Sequence, residues 1–473
     1  MNKISIQPID LCARRNAQMG ISMKLLNKIQ DKITYVRIIA VGYMTVILAG
    51  TLLLLLPAAT KAGERTGILT ALFTATSATC VTGLVVVDTA THWTAFGQAV
   101  ILLMIQIGGL GFMTLGVLLA LILRRRISLR TRGILQESMN YMQLGGVIRL
   151  VKITFWGTFL FEGCGAVLLA ARFIPVFGVT RGILYGIFHS VSAFCNAGFD
   201  LMGGYSGKYS SFVEFHGDVL INFVLMALII LGGIGFFVWS DLKKNGWHWK
   251  KYMLHTKITL FTTALLLLAG TILYFFFEKD NLLAGMNGKD QFLAALFSAV
   301  TARTAGFNTI DTGGLTGASK LLTMLLMFIG GSPGSTAGGI KTVTALVLVA
   351  YVWSNLRESK GVNMFHRRLE DDVIRKASNV VVLSLLLAVV SVIFICFIQP
   401  HLPVEDVMFE VFSAIGTVGM STGLTRELST ASRIVIILLM YCGRIGSMSF
   451  ALSFTERKKV APVQFPVEKI MIG

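Results

Sequence analysis

Charge is scarce in this chain. Only 14% of its 473 residues are Asp, Glu, Lys or Arg, against 54% hydrophobic, where soluble domains carry about 25% charge. That shortage excludes a soluble globular protein and leaves an integral membrane protein. Acidic residues are the scarcer sign, 24 against 42 basic ones, for a formal net charge of +18. The bases fall in short blocks between long apolar runs. That is the topology signal of a membrane protein and not the footprint of a nucleic-acid binder. Cysteine is sparse too. Cys12, Cys80, Cys164, Cys195, Cys396 and Cys442 form no Cys-x-x-Cys pair, so free thiols are expected rather than zinc sites or disulfides. No nucleophile–His–acid set, metal-ligand spacing or nucleotide fingerprint stands out, and no enzyme is expected. The first 33 residues lack an apolar core suited to a signal peptide and read as a cytoplasmic tail.

What the chain does have is a fourfold repeat. Ser77-Ala78-Thr79-Cys80-Val81-Thr82-Gly83 recurs as Ser192-Ala193-Phe194-Cys195-Asn196-Ala197-Gly198 and as Ser413-Ala414-Ile415-Gly416-Thr417-Val418-Gly419. A looser copy is Val300-Thr301-Ala302-Arg303-Thr304-Ala305-Gly306. The intervals between the glycines are 115, 108 and 113 residues, and Phe73, Phe188, Phe297 and Phe409 stand nine or ten residues before them. Self-similarity at one long period speaks for repeated architecture.

About 20 apolar residues cross a bilayer. Opening spans are expected near 36–56, 150–172, 258–277 and 380–398, and closing spans near 95–123, 218–239, 320–353 and 432–454. Between each pair lies a segment too short to span, near 66–80, 181–195, 290–302 and 404–416, which reads as a re-entrant half-helix. The expected fold is therefore an all-α polytopic membrane protein. It has eight spanning helices and four half-helices, arranged as four helix–pore-loop–helix repeats around one central pore. Their bounds are 34–123, 149–240, 257–354 and 377–455. Cytoplasmic connectors fill 124–148, 241–256 and 355–376, flanked by tails 1–33 and 456–473. The connectors carry Arg124-Arg125-Arg126, Lys243-Lys244, Lys250-Lys251, Arg367-Arg368 and Arg375-Lys376, and the tail carries Arg457-Lys458-Lys459. The positive-inside rule then places both termini in the cytoplasm. All four repeats share one orientation, as rotational symmetry about the membrane normal requires.

Non-helical backbone at membrane depth survives only when buried or lining water. A ring of carbonyls can replace the hydration shell of potassium, and Thr417-Val418-Gly419 matches the start of the potassium-channel Thr-Val-Gly-Tyr-Gly loop. Helix-terminating turns are the plainer reading of one such glycine, but not of four in register.

On these motifs the chain resembles the Trk/Ktr/HKT superfamily of potassium transporters, closest to the membrane subunit of bacterial Ktr systems, over about 34–460. The resemblance implies potassium uptake across the bacterial cytoplasmic membrane through a single gated pore. It makes Thr79, Cys80, Val81, Thr82 and Gly83 one side of a selectivity filter. The other sides are Cys195, Asn196, Ala197 and Gly198; Thr304, Ala305 and Gly306; and Thr417, Val418 and Gly419. Potassium would bind at their backbone. Glycine at position 83, where some plant relatives have Ser, points to potassium over sodium. The resemblance further implies a membrane homodimer and a cytosolic ring of regulatory subunits that carry the nucleotide. Sodium is an optional second ion. Alternatives are a Trk-like or less selective potassium/sodium transporter on the same fold and, more distantly, a membrane enzyme or scaffold.

A second repeat follows each filter copy by 25, 34, 24 and 24 residues: Gly108-Gly109-Leu110-Gly111, Gly232-Gly233-Ile234-Gly235, Gly330-Gly331-Ser332-Pro333-Gly334 and Gly443-Arg444-Ile445-Gly446. For the first two, close packing through small residues is the leading reading. The third continues as Ser335, Thr336, Ala337, Gly338, Gly339, Ile340 and Lys341. It cannot stay helical, since Gly costs about 1 kcal/mol and Pro about 3 per interior position. By the resemblance, 330–341 is an intramembrane gating loop. It only approaches a phosphate-loop pattern, because Ile340 separates Gly339 from Lys341. Arg444, mid-membrane and costly there, is expected to face the pore as part of the gate, or else to clamp carbonyls or form a salt bridge. Asp88, Asp200 and Asp311 follow three filter glycines by five, two and five residues; they gather cations at the outer mouth or merely cap loops. Arg303 is expected to hold scaffold and His189 to pack. Glu162 has no evident partner.

Overall fold

A computed structural model describes residues 35–61, 66–123, 127, 129–138, 146–359, 361–446 and 468. The N-terminal tail, Arg124-Arg125-Arg126, Arg457-Lys458-Lys459 and the end of the last closing segment lie outside the described residues. Helix dominates because apolar segments at membrane depth satisfy their own backbone that way. Among the described residues, strand is limited to the hairpin Asn363–Met364 with Arg367–Arg368 in the third connector.

Four helices are each long and apolar enough to cross a bilayer alone: Tyr35–Leu54, Val147–Phe177, Leu254–Glu278 and Asp371–Ile398. Their outer faces are bare and apolar, with Leu52 at 68%, Val167 at 69% and Phe397 at 83% exposure. Lipid is the solvent that suits such a surface. Each opening helix is followed by a half-helix: Ile68–Thr79, Val179–Phe194, Gly288–Thr301 or Val404–Gly416. At 12 to 16 residues and about 1.5 Å per residue, none crosses a core about 30 Å thick. Phe73, Phe188, Phe297 and Phe409 are all buried, which explains their recurrence.

The closing helices differ from the unbroken spans expected in the first two repeats. Ala95–Leu110 gives way to Phe112–Ile122 at Gly111, and Val219–Gly233 bends by 93° before Phe236–Asn245 at Gly235. Thr430–Ile445 ends at Gly446. The third repeat breaks more widely, between Gly317–Phe328 and Thr342–Leu356. Gly111, Gly235 and Gly446 have φ of 81°, 95° and 95°, a region side chains rarely enter. The preceding glycines do the packing. A Cβ on Gly108, Gly232 or Gly443 would collide with the carbonyl of Thr79, Phe194 or Ile415. Overpacking of this kind costs about 1–3 kcal/mol. Gly232→Ala is therefore expected to lower the melting temperature in detergent; an unchanged melt would show that the contact relaxes freely.

Two contacts make the arrangement cyclic. Each half-helix packs on its own opening helix, and each closing helix packs on the half-helix of the next repeat. The closing helix of repeat 4 meets the half-helix of repeat 1. The repeats thus surround one axis.

Candidate functional site

The half-helices deliver four short loops to that axis. In each loop an amide bonds back to its half-helix: Thr82 N to Ser77 O, Ala197 N to Ser192 O, Ala305 N to Thr301 O and Val418 N to Ser413 O, at 2.8–2.9 Å. A hydroxyl adds a second staple. Ser77 Oγ and Ser413 Oγ accept from Gly83 N and Gly419 N, at 3.0 and 3.1 Å. Ser192 Oγ and Thr301 Oγ1 donate to Phe199 O and Phe307 O, both at 2.7 Å. The last three carbonyls of each loop, ending at Gly83, Gly198, Gly306 and Gly419, accept no hydrogen bond within the described residues. Buried carbonyls are normally paired, so these are free for another ligand.

The four glycines close a ring. Each has positive φ, from 69° to 93°, and each faces the carbonyl before the glycine of the next repeat. A Cβ on Gly83 would lie 2.5 Å from Ala197 O, on Gly198 2.7 Å from Ala305 O, and on Gly306 2.5 Å from Val418 O. On Gly419 it would strike Thr82 O. A side chain at any of the four must displace a carbonyl of its neighbour.

The glycine loop of repeat 3 lies against this ring. Its ends are pinched by the Ile329–Ile340 bridge. Its middle docks on the break in the second closing helix: Ser332 N donates to Gly233 O at 2.9 Å, Thr336 N to Gly232 O at 3.2 Å, and Phe236 N to Gly334 O at 2.8 Å. Thr336 Oγ1 accepts from Asn196 Nδ2 at 3.0 Å and donates to Phe194 O at 3.1 Å. Nothing in the spacing signalled this link, because its partners are 140 residues apart. Thr336→Val removes both bonds, worth about 1 kcal/mol each. It is expected to raise passive cation leak from proteoliposomes several-fold; unchanged leak would mean that Thr336 does not restrain the loop.

Arg444 takes the carbonyl-clamp arrangement. Its Nη1 donates to Thr336 O and its Nη2 to Gly108 O and Gly109 O, tying the glycine loop to the first closing helix. Lys341 Nζ donates to Ala337 O at 2.8 Å and to Gly338 O at 3.3 Å. A cavity of about 610 Å³ runs along the loop, bordered by Tyr43, Pro333, Gly334, Lys341 and Arg444.

Other residues find their places. Glu162 is buried behind the second loop, accepting from Gln106 Nε2 at 3.2 Å with Cys195 Sγ at 3.8 Å. Both partners come from other segments of the chain, so neither was visible from Glu162 alone. Glu410 escaped notice, although a carboxylate in an apolar half-helix was the available signal. It accepts from Ser421 Oγ and from Thr425 Oγ1, the latter at 2.9 Å. Among the described residues, the buried Arg303 side chain reaches only Thr263 Oγ1, at 3.4 Å. His189 packs among Phe173, Phe188 and Phe212, donating from Nδ1 to Tyr185 O and accepting at Nε2 from Leu201 N. Asp88 accepts from Thr91 N and Tyr209 N, Asp200 from Met202 N, and Asp311 from Gly313 N. That is the capping alternative, and for buried Asp88 it uses both oxygens.

Helices long and apolar enough to cross a bilayer, half-helices too short to do so, and unbonded carbonyls around one axis define a polytopic membrane protein of the ion-transporter class. The family model described as TrkH, cation transport protein, matches residues 22–461. The chain is 40% identical to the potassium/sodium uptake protein NtpJ of Enterococcus hirae, over 94% of this chain and 99% of that one. It is also 40% identical to the Ktr system potassium uptake protein B of Bacillus subtilis, over 92% and 96%. Its fold matches the crystal structure of the potassium transporter TrkH from Vibrio parahaemolyticus at a TM-score of 0.68 and 20% identity, over 88% of this chain and 83% of that one. The chain belongs to the TrkH cation transport family.

Proposed function

We propose that this chain is the translocating subunit of a Ktr-type potassium uptake system, conducting potassium through the fourfold passage. The observation that carries the reading is the closed ring of four glycines with unbonded carbonyls on the axis, since carbonyl rings replace the hydration shell of potassium. On this reading the stretches ending at Gly83, Gly198, Gly306 and Gly419 select the ion. The glycine loop with Arg444 is the gate, and its fixed charge opposes potassium in transit. The docking of the loop by Thr336 and Arg444 supports a closed state.

The Bacillus relative is named as part of a Ktr system, which supports a partner subunit; we propose, as the family resemblance implies, that this partner is a cytosolic ring carrying the nucleotide and that the chain forms a membrane homodimer. The basic connectors supply surfaces for the ring, including Arg357, Arg367 and Arg368. The same connectors support the cytoplasmic membrane with both termini inside. The Enterococcus relative, named for potassium and sodium, keeps a less selective transporter as the second reading. Expression in a host lacking potassium uptake, with sodium varied, tests both. Growth on low potassium is expected. Failure to restore it would defeat the proposal, and equal sodium uptake would favour the second reading.

A further inference from the structure

The loop that follows the second filter stretch, residues 205–212, holds two non-glycine residues in the left-handed region, Tyr209 at φ 65° and Ser211 at φ 48°. Such strain persists only where surrounding contacts fix it, and here they come from the three other repeats. Tyr209 N donates to Asp88 Oδ2 at 3.1 Å and Tyr209 Oη to Val86 O at 3.3 Å, both in repeat 1. Ser211 Oγ accepts from Asn308 N at 3.2 Å and Phe212 N donates to Asn308 O at 2.8 Å, in repeat 3. From repeat 4, the Arg426 guanidinium lies 4.3 Å over the Tyr209 ring.

The order of the repeats puts these contacts over the filter, on the side away from the glycine loop. Val86 is three residues beyond Gly83, Asn308 two beyond Gly306 and Arg426 seven beyond Gly419. Repeats 1 and 3 stand opposite each other, as do repeats 2 and 4. Tyr209 and Ser211 are two residues apart, a reach of at most about 7 Å, yet one is tied to repeat 1 and the other to repeat 3. The loop therefore crosses the mouth of the ring, and Arg426 meets it there from the far side. Arg426 is exposed, and among the described residues it makes no ion pair. Its Nε donates to Gly423 O at 3.3 Å, and Arg433 Nη2 holds its backbone by donating to Arg426 O at 2.9 Å. Asp88, tied to the same tyrosine, has both oxygens engaged by Thr91 N and Tyr209 N.

We propose that Arg426 is an entry-controlling charge which each incoming potassium ion must pass, and that Tyr209 is the residue that positions it over the mouth. The inference rests on the reading of the ring as the potassium path, and it adds a residue that acts before selection. A fixed positive charge at a mouth lowers the local concentration of cations. It thus sets how much external potassium half-saturates uptake, and leaves the choice between potassium and sodium to the carbonyls. The face of the tyrosine ring attracts the guanidinium through its quadrupole and keeps it from swinging out into solvent.

Rubidium uptake into neutral-lipid proteoliposomes holding the full chain tests this. Ionic strength is set with N-methylglucamine chloride at about 0.01 M and about 1 M, where exposed charges act over about 30 Å and about 3 Å. Arg426→Gln is expected to lower the half-saturating rubidium concentration about threefold at low ionic strength. The difference from the intact chain should vanish at high ionic strength, with the rubidium-to-sodium ratio kept throughout. Arg426→Lys and Tyr209→Phe, which keep the charge and the ring, should match the intact chain, and Tyr209→Leu should show part of the shift. An unchanged half-saturation in Arg426→Gln would overturn the proposal. So would a shift of equal size at both ionic strengths, which a purely structural role gives. Tyr209→Leu behaving as the intact chain would overturn the positioning role. Where a variant fails to fold, the intact chain still decides: its half-saturating concentration must fall as salt is added, and a constant value refutes the charge. Absence of saturable uptake by the intact chain would instead reject the ring as the path, and this inference with it.

Discussion

Excising residues 332–338 is expected to raise basal potassium flux by roughly tenfold. These residues hold most of the bonds that dock the glycine loop on the second closing helix, together with Thr336, the loop anchor of Arg444 and Asn196. A hydrogen bond to a charged group contributes about 1.5–3 kcal/mol, and about 1.4 kcal/mol off a barrier is tenfold in rate. The excision is geometrically mild. Residues 329 and 340 already form a bridge, and Gly339 lies against Gly330, so the shortened ends meet without moving the helices. Arg444 keeps Gly108 O and Gly109 O, so part of its repulsion remains; adding Arg444→Gln should raise the flux further. Rubidium uptake into proteoliposomes measures both. Flux equal to that of the intact chain would make the loop a static kink.

Gly83→Ser is expected to cost about one order of magnitude in potassium-over-sodium selectivity. Serine at φ 93° carries strain of about 1–3 kcal/mol, and its Cβ would stand 2.5 Å from Ala197 O. Relief requires that carbonyl to turn or retreat. A carbonyl turned away offers the ion fewer oxygens and removes the advantage of a ring matched to potassium. The ratio of uptake at equal external potassium and sodium reads the effect, with total protein in the membrane as the control for folding. An unchanged ratio would place selectivity elsewhere.

The repeats were legible because the physics that builds one half-helix loop is written four times. Ser77, Ser192, Thr301 and Ser413 recur because each staples its own loop, and the glycines recur because each touches the next repeat. The half-helix boundaries followed closely; the fourth, Val404–Gly416, coincides with the expected span. Less legible were the breaks at Gly111 and Gly235. A glycine that packs and a glycine that breaks look alike until φ is known, and here both kinds share one motif. Long-range polar links were hidden for another reason. Arg444 meets Gly108 across 336 residues, and Glu162 meets Cys195 across 33, so no local spacing announces either pair. By spacing alone the outer aspartates fit ion gathering or capping; in the structure they accept backbone bonds.

The central claim is that four unlike loops make one closed filter. Serine placed singly at Gly83, Gly198, Gly306 and Gly419, with potassium and sodium uptake compared for each, tests it most directly. The ring predicts that all four substitutions lower the potassium-to-sodium ratio, because each new Cβ strikes the carbonyl of the following repeat. A position among the four that accepts serine with its ratio intact would contradict the closed ring.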